Sequence, residues 1–383
     1  MADKPAIIGV GQTEFGAPKT DQTFADLTYE AVNAALVDAE LDIKDIDNII
    51  TVSNDFWDGR TISSMAVGDA VGAAFGQGKN ISTVEGDGAF GAFYGLARIL
   101  SGSYQNTLVV AHSKGSEGDN RLITNAFFDP IFERSLGMDS VTAAALQAKS
   151  YMEKYKISPR QTAMVSVKNR ANALKNPKAH LREELDIEDI LRSPQIAPPI
   201  RRHDACPVSD GAAALILANE DFAKKRSGKP VWVEGVAFCA DAYRLGERAL
   251  WESRALREAA KKAYAMAGIA DPRKEIGVAE IYEAFSYQEL LWSEELGFAS
   301  PGGGGALLES RVTQTHGELP VNPSGGCLSA HAVCAAGLVR MIEAALQIRG
   351  DAANPVRKPK KALAHGQNGL CGQSHCVWIL GAN

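Results

Sequence analysis

Hydrophobic and polar positions follow two different periods along the chain. In some stretches, such as AVNAALVDAE (31–40), apolar residues recur every three to four positions, which predicts amphipathic helices. Other stretches are short runs of β-branched and aliphatic residues, such as IITVS (49–53), and these predict strands. The two kinds of stretch alternate through most of the sequence. This alternation predicts a layered α/β fold.

The same order of predicted elements occurs twice. Residues 31–56 and 259–285 each read as an Ala-rich amphipathic helix, a short acidic connection and a β-rich segment that ends in Phe. Residues 89–115 and 334–369 each read as a helix, a turn or loop, an apolar strand and an Ala-His pair followed by Gly. The chain therefore resembles a duplication of about half its length.

The two predicted halves, residues 1–228 and 229–383, differ in their insertions. In the first half, residues 116–205 separate two apolar strands and are mostly helical and charged. Insertions this long are usually functional, so we expect this one to act as a lid or substrate-binding segment. The second half begins with PVWVEGV (230–236), which reads as a strand.

Composition narrows the class of protein. Hydrophobic residues make up 45% of the 383 residues and charged residues 22%, which is typical of a globular protein. The net charge of -6 argues against nucleic-acid binding. The N-terminus lacks the apolar core of a signal peptide, and no apolar run approaches the length of a membrane span. We therefore expect a cytoplasmic protein that binds neither nucleic acid nor membrane.

The cysteines are confined to the last 178 residues. The six are Cys206, Cys239, Cys327, Cys334, Cys371 and Cys376. This distribution does not resemble a secreted disulfide scaffold. No pair has the Cys-x-x-Cys spacing of a zinc site, so we expect no metal.

Four segments together resemble motifs of the thiolase superfamily, in that family's order. VEGDGAFGAFYGLARI (84–99) resembles the segment that carries the family's nucleophile, and DACPVSDGAAALIL (204–217) resembles its Asp-Gly-Ala-Ala-Ala segment. AEIYEAFSYQEL (279–290) resembles the Asn-Glu-Ala-Phe motif, or the His-Asp-Cys-Phe version found in lipid-transfer-protein-type (SCP2-like) members. VNPSGGCLSAHAVCAAGL (321–338) resembles the Asn-x-x-Gly-Gly and Gly-His-Pro segment. The resemblance covers nearly the whole chain.

This resemblance implies a fold and a substrate class. The fold would consist of two similar βαβ-rich halves stacked in five α-β-α-β-α layers, usually as a homodimer. The substrate would be an acyl-CoA, with coenzyme A as a substrate moiety and no covalently bound cofactor.

The chain departs from the family at the reactive cysteine. Alignment on Val-Glu and the downstream glycine puts that cysteine at Gly88, and an alternative register puts it at Glu85. Glycine cannot be a nucleophile, and an activated cysteine attacks thioesters far better than a carboxylate does. The family's second cysteine falls close to Ala364, beside His365. An ordinary thiolase mechanism is therefore not expected.

A set of polar residues remains at the motif positions. They are Tyr282, Glu283, His331 and His365, together with Asp87. Such side chains are suited to proton transfer and to stabilising an oxyanion. The set resembles the aldolase branch of the SCP2-like proteins, which cleave β-hydroxyacyl-CoA by retro-aldol chemistry, carry Tyr at this motif and form no covalent intermediate. Those relatives typically pair with a small zinc-ribbon and β-barrel (OB-fold) subunit.

Three functions stay open at this point. The first is a C–C lyase without covalent catalysis. The second is a Claisen-type acyltransferase that uses a relocated nucleophile, for which Cys334 and Cys371 are the candidates, or transfers directly between two CoA esters. The third is a catalytically silent subunit that activates a partner, against which the retained tyrosine and histidines argue.

Three further segments have two readings each. His112 occupies in the first half the place of His365 in the second, and we expect it to be structural. The run PGGGG (301–305) is either a flexible surface loop or a loop that orders over the ligand. The run FWDGRTISSM (56–65) is expected at a dimer interface or in the substrate pocket.

Overall fold

A computed structural model describes residues 4–75, 78–226 and 228–382. The strands in these ranges are β1 (Ala6–Gln12), β2 (Asn48–Ser53), β3 (Asn80–Glu85), β4 (Asn106–Lys114), β5 (Gln195–Ala197), β6 (Ile200–Arg201), β7 (Asp210–Ala218), β8 (Val231–Ala240), β9 (Val278–Glu280), β10 (Lys361–Asn368) and β11 (Ser374–Gly381). The α-helices are α1 (Phe24–Asp38), α2 (Asp55–Asp58), α3 (Gly88–Leu100), α4 (Asn120–Asn125), α5 (Ser140–Tyr155), α6 (Pro159–Ala173), α7 (Ile187–Arg192), α8 (Glu220–Arg226), α9 (Arg254–Ala267), α10 (Pro272–Glu275), α11 (Ser286–Glu295), α12 (Gly304–Glu309), α13 (Gly326–Ser329) and α14 (Ala336–Arg349).

The strand order confirms the duplication. Nine strands follow one another in the order β3-β2-β4-β7-β1-β8-β11-β10-β9. From the centre outward, β1, β7, β4 and β2 of the first half correspond to β8, β11, β10 and β9 of the second. In both halves the outer pairs are parallel and the inner pairs antiparallel. Val321 forms a parallel bridge to Ala279, which is the place that β3 occupies in the first half.

The two half-sheets touch only briefly. β1 and β8 pair at two positions, Ala6 with Trp232 and Ile7 with Val231. Elsewhere the half-sheets are separated by two helices. α3 packs against β2, β4 and β10, whereas α14 packs against β9, β10, β7 and α3. α1 covers the outer face of the first half-sheet and α9 that of the second. These are the five α-β-α-β-α layers expected from the resemblance.

The sequence pattern explains why the outer helices form and pack as they do. α1 is capped by Thr23, since the side chains of Thr23 and Asp26 each accept a hydrogen bond from the other's backbone amide. Leu27, Ala31 and Ala35 then recur on one face and are completely buried against the sheet. A helix with this periodicity is stabilised mainly by burying that apolar face.

The insertion at 116–205 is mostly helical, as expected. It contains α4 to α7 and the two-stranded hairpin β5–β6. α6 packs against α11, α12 and α13 of the second half. The division of the chain into halves at residue 228 stays a prediction.

The glycine run at 301–305 differs from both expectations. Its second part begins α12, where Gly304 and Gly305 are buried. The amides of Gly302 and Gly304 donate to the two oxygens of Glu294 at 2.8 and 2.9 Å. A Cβ on Gly304 would lie 2.6 Å from the carbonyl oxygen of Leu290, so glycine is required for this close approach. The run serves helix packing and does not line the cavity described below.

In the part of the chain that the structure describes, no helix combines the length and the apolar character that crossing a bilayer requires.

Candidate active site

A cavity of about 680 Å³ lies where the insertion meets the strand ends of both half-sheets. The first half contributes the turn after β3, the end of β4, and α4 and α5 of the insertion. The second half contributes the loop after β9, the loop before α14 and the end of β10. Side chains from these elements that line the cavity include Asn54, Trp57, Glu85, Asn120, Thr124, Phe127, Val141, Cys206, Ser209, Tyr243, Tyr282, Phe285, Gln288, His331, Cys334, Gln367, Asn368 and Cys371.

Two of the residues predicted from the sequence meet in the cavity wall. The hydroxyl of Tyr282 lies 2.6 Å from Nε2 of His331, and the two rings pack edge to face with centroids 5.4 Å apart. Burial, with a smaller contribution from the charge of the nearby Arg340, lowers the pKa of His331 to about 4. Burial also raises the pKa of Tyr282 well above its usual value. The pair is therefore neutral near pH 7, with an uncharged imidazole beside an intact phenol.

His331 is held in place by a serine. The backbone amide of His331 donates to Oγ of Ser209 at 3.0 Å, and the amide of Ser209 donates to the carbonyl of His331 at 3.0 Å. Oγ of Ser209 also contacts Nδ1 of His180 at 2.9 Å. Ser209 is buried and directly precedes β7, in the segment that resembles the Asp-Gly-Ala-Ala-Ala motif. This motif therefore fixes the backbone of His331 as well as forming a strand.

His365 lies behind Tyr282, outside the cavity wall. The amide of Tyr282 donates to Nδ1 of His365 at 3.2 Å. Nε2 of His365 lies 2.8 Å from Nδ1 of His375, and Nε2 of His375 lies 3.0 Å from Oγ of Ser253. Both histidines are completely buried. His365 contacts the backbone of Tyr282 and not its hydroxyl.

Glu283 is also outside the cavity, in a buried polar cluster beneath it. One oxygen of Glu283 accepts from Nδ2 of Asn169 at 3.0 Å and from the amide of Leu328 at 3.1 Å. The other accepts from Nδ2 of Asn322 at 2.8 Å. Burial, with a smaller contribution from the carboxylate of Glu289, raises the pKa of Glu283 to about 8. The structure thus places Glu283 where it ties α6, α13 and the loop after β9 together.

Asp87 joins the N-termini of the two central helices. Its side chain accepts from the amide of Ala89 in α3 at 3.0 Å and from the amide of Gly337 in α14 at 2.6 Å. A Cβ on Gly337 would lie 2.0 Å from Oδ1 of Asp87, so only glycine permits this contact. Burial raises the pKa of Asp87 to about 7. Asp87 is 1% exposed and is absent from the cavity wall.

The two candidate positions for the family's cysteine, Gly88 and Glu85, have different surroundings. A side chain at Gly88 would point into the core, since its Cβ would lie 2.6 Å from Cβ of Leu338 and 3.3 Å from that of Ala111. Glu85 instead lines the cavity, and its Oε1 accepts from Nδ2 of Asn54 at 2.8 Å. A carboxylate therefore faces the cavity at the β3–α3 turn, and the choice between the two registers stays a prediction.

Three cysteines contribute to the cavity wall, namely Cys206, Cys334 and Cys371. Burial raises the pKa of Cys334 well above its usual value, and the carboxylates of Asp58, Asp87 and Glu85 raise it further. Burial raises the pKa of Cys206 and of Cys371 to about 12. These thiols stay protonated near neutral pH, whereas a nucleophilic cysteine needs the thiolate.

His112 and the run at 56–65 meet next to the cavity. Nε2 of His112 lies 2.8 Å from Oδ2 of Asp58, with both side chains 1% exposed. The imidazole also stacks on Phe24 at 5.3 Å between centroids. His112 does not line the cavity, which agrees with the structural role expected of it. Trp57, which belongs to the run at 56–65, does line the cavity.

Comparison with known proteins adds family relationships to this geometry. The model of the thiolase N-terminal domain matches residues 6–221, and the thiolase C-terminal domain-like model matches residues 239–382. The chain is 31% identical over 353 residues to an acetyl-CoA acetyltransferase of Methanothermobacter thermautotrophicus, with 91% of each chain covered. It is 28% identical over 384 residues to human sterol carrier protein 2, covering 94% of this chain and 69% of that protein.

Two further similarities concern lyases. The chain is 28% identical over 389 residues to the 17-hydroxy-3-oxo-4-pregnene-20-carboxyl-CoA lyase of Mycobacterium tuberculosis, covering 97% of this chain and 98% of that one. Among solved structures, the Ltp2–ChsH2(DUF35) aldolase superimposes with a TM-score of 0.85 at 24% identity, covering 99% of this chain and 98% of that chain.

Proposed function

This chain belongs to the thiolase family, in its SCP2-like branch, and we propose that it cleaves a β-hydroxyacyl-CoA by retro-aldol chemistry without a covalent intermediate. Members of this family act on acyl-CoA substrates, and relatives of this chain include both acyltransferases and a lyase. The observation that carries the proposal is the neutral pair of Tyr282 and His331, 2.6 Å apart in the wall of a cavity that Glu85 also lines.

In the proposed reaction the bond between Cα and Cβ of the substrate breaks. The β-hydroxyl gives its proton to the oxygen of Tyr282, while the phenol passes its own proton to Nε2 of His331. The electron pair of the Cα–Cβ bond moves to Cα and forms the enolate of the shortened acyl-CoA, and Cβ becomes the carbonyl carbon of an aldehyde or ketone. The imidazolium then returns the proton through Tyr282 to Cα, so the enzyme ends in its starting state.

The lowered pKa of His331 keeps the acceptor uncharged before the first step and favours return of the proton in the second. An uncharged imidazole is available as an acceptor at all physiological pH values. Once protonated in its buried position, it is a stronger acid than ordinary histidine and readily gives the proton to a carbanion. The 2.6 Å contact allows the transfer without rearrangement of either ring.

The cysteines support the lyase over the Claisen acyltransferase. A relocated nucleophile at Cys334 or Cys371 would need an electropositive neighbourhood that stabilises its thiolate. Burial raises the pKa of both thiols instead, and three nearby carboxylates act in the same direction on Cys334. The acyltransferase remains the second candidate, because the acetyl-CoA acetyltransferase relative has 31% identity.

The other residues expected in the site support it indirectly in this proposal. His365 positions the backbone of Tyr282, Glu283 stabilises the loop that carries it, and Asp87 fixes the N-termini of α3 and α14 beside the cavity.

We further propose that the chain works as a homodimer with a small second subunit. β3 has an exposed edge and pairs on one side only within the described chain, which favours association through that edge. In the insertion, next to the cavity, four large apolar side chains are 63% to 76% exposed: Leu122, Ile131, Phe132 and Leu136. Large apolar side chains left this exposed are typical of an interaction surface, and the structural neighbour bears the name of a two-component aldolase.

Product analysis with 3-hydroxy-3-phenylpropionyl-CoA tests the reaction. The lyase produces benzaldehyde and acetyl-CoA in equal amounts, needs no free CoA and leaves the mass of the intact protein unchanged. An acyltransferase would instead require free CoA and a β-ketoacyl-CoA, and would show a transient acyl adduct on a cysteine. The assay is run on the chain alone and on the complex isolated from its native source.

A further inference from the structure

Three buried polar atoms in the wall of the catalytic cavity have no hydrogen-bond partner among the described residues. They are Oγ of Ser113, Oδ1 of Asn120 and Oε1 of Gln367. A buried polar atom without a partner costs stability, so three of them around one cavity indicate side chains that find their partners on a bound ligand. The mechanism proposed above uses none of the three.

The described wall of the cavity contains no positively charged side chain. None of the described residues that line it is Lys or Arg, and its one carboxylate belongs to Glu85. Retro-aldol cleavage nevertheless forms an enolate, whose negative charge develops on the thioester oxygen. Neutral hydrogen-bond donors must therefore stabilise that oxygen.

Gln367 has the donor that suits this task. Asn120 already uses its Nδ2, which donates to the carbonyl of Gly115 at 3.4 Å, so its unpaired atom is an acceptor. Gln367 is only 8% exposed, yet neither end of its side-chain amide makes a hydrogen bond to a described residue. Both N–H groups of this amide are therefore available to a ligand in the cavity that Gln367 lines.

Gln367 also lies beside the proposed catalytic tyrosine. It follows His365 by two positions on β10, and alternate residues of a strand share one face. On that face His365 accepts from the amide of Tyr282 at 3.2 Å, so Gln367 is the next side chain, about 7 Å further along the strand. The parallel register of β9 and β10, with Glu280 opposite Ala364, carries the chain past Gln367 as it leaves β9.

We propose that the side-chain amide of Gln367 binds the thioester oxygen of the substrate and stabilises the enolate by donating a hydrogen bond to it. This inference rests on the proposed function, because it takes Tyr282 and His331 as the groups that move the proton of the β-hydroxyl. Tyr282 then acts at the oxygen on Cβ and Gln367 at the oxygen of the thioester, on either side of the bond that breaks. The hydrogen bond strengthens as charge develops, so it lowers the barrier more than it raises the affinity for the ester.

Replacement by methionine, which is close to glutamine in size, tests the unpaired amide without turnover. Gln367→Met removes no hydrogen bond, so its urea midpoint should equal or exceed that of the wild type. Gln147→Met is the matched control, since Nε2 of Gln147 donates to the carbonyl of Cys371 at 3.2 Å and Oε1 accepts from the hydroxyl of Tyr287 at 2.9 Å. Its midpoint should fall. A fall in Gln367→Met as large as in Gln147→Met would mean that the amide has a partner within the protein, and would overturn the inference.

Exchange of the methyl protons of acetyl-CoA in D2O tests enolate formation without cleavage of a C–C bond. A proton leaves Cα for the oxygen of Tyr282, which passes its own proton to Nε2 of His331, and the electron pair forms the enolate; a deuteron returns by the same route. Gln367→Met should slow this exchange about a hundredfold or more at saturating acetyl-CoA and change the Kd of acetyl-CoA less than about threefold. Ser113→Ala removes the other unpaired hydrogen-bond donor and should slow the exchange less than about threefold.

Two results of the exchange experiment would overturn the inference. One is loss of exchange in Ser113→Ala with retention in Gln367→Met, and the other is a wild-type protein that exchanges no proton, either alone or in the complex isolated from its native source. Product analysis of the same variants separates the inference from the reaction. Gln367-dependent exchange without cleavage of 3-hydroxy-3-phenylpropionyl-CoA would support the role of Gln367 and contradict the retro-aldol function. Cleavage at the wild-type rate in Gln367→Met would overturn the inference and leave that function standing.

Discussion

The backbone amide of Tyr282 donates to Nδ1 of His365, and this one contact fixes the tautomers of two buried histidines. An amide can only donate, so Nδ1 of His365 carries no proton and Nε2 does. Nε2 of His365 must then donate to Nδ1 of His375, whose own Nε2–H donates to Ser253. Burial lowers the pKa of His375 to about 3, consistent with two neutral histidines. This series of hydrogen bonds from Ser253 through His375 and His365 orients Tyr282, which carries the proposed catalytic hydroxyl.

Replacing His365 should separate positioning from packing. His365→Ala leaves the amide of Tyr282 unpaired in the interior, and we expect the turnover number to fall about tenfold or more. Asn places an acceptor oxygen near the former Nδ1, so His365→Asn should recover most of the loss. Equal turnover numbers for the two variants, with equal thermal stability, would show that the hydrogen bond has no part in catalysis.

The pH profile of kcat/KM should not show the loss of activity near pH 6.5 that protonation of an ordinary catalytic histidine causes. The acceptor is neutral His331, and burial lowers its pKa from 6.5 to about 4. Activity is lost only where His331 is protonated, so the profile should stay flat from pH 8 down to about pH 5 and fall near pH 4. His331→Asn removes the acceptor and serves as the baseline. A midpoint near pH 6.5 would mean that an ordinary histidine controls the rate.

Loss of the cavity thiols should have little effect. We expect the Cys334→Ala, Cys371→Ala double variant to lose less than about tenfold in turnover number, which is about 1.4 kcal/mol in the barrier. Iodoacetamide should likewise leave turnover intact unless it blocks the cavity. A loss of several thousandfold in the double variant would identify one of these thiols as a nucleophile.

Asp87 should matter for stability more than its small size suggests. Asp87→Ala leaves the buried amides of Ala89 and Gly337 without an acceptor, and each such loss costs about 1–3 kcal/mol. The exposed N-cap Asp186 of α7 provides the matched comparison, with an expected cost of about 1 kcal/mol on replacement by Ala. In urea unfolding, the midpoint of Asp87→Ala should therefore lie well below that of Asp186→Ala. Equal midpoints would contradict the account of Asp87 as a shared cap.

Much of the fold could be predicted from the sequence because the same order of helix and strand patterns occurs in both halves. The helix and strand at 31–56 and their counterparts at 259–285 are periodic enough to identify without tertiary information. The motif positions also led to Tyr282 and His331, which do meet. A local pattern does not show whether a side chain faces the cavity or is buried behind its wall. Glu283, His365 and Asp87 have functional groups suited to catalysis, but they lie behind the cavity wall.

Long-range contacts explain the remaining differences. The surroundings of Gly88 cannot be predicted from its own segment, because the side chain that packs closest to it is that of Leu338, 250 residues away. The roles of Ser209, Ser253 and His375 could not be predicted, because none of them belongs to a recognisable catalytic motif. Each of them acts through a hydrogen-bond partner in another element. The glycine run at 301–305 resembled a mobile loop because glycine also serves tight helix packing, which the sequence does not distinguish.

Turnover of Tyr282→Phe tests the central claim most directly. The variant removes only the hydroxyl that lies 2.6 Å from His331, so the fold and the cavity shape should persist. Tyr264→Phe removes a comparable buried hydroxyl, one that donates to the carbonyl of Leu296 away from the cavity, and serves as the control. With a β-hydroxyacyl-CoA as substrate, we predict that Tyr282→Phe lowers kcat at least about a hundredfold with near-unchanged affinity for the ester, while Tyr264→Phe keeps wild-type kcat. Wild-type kcat in Tyr282→Phe would contradict the retro-aldol account.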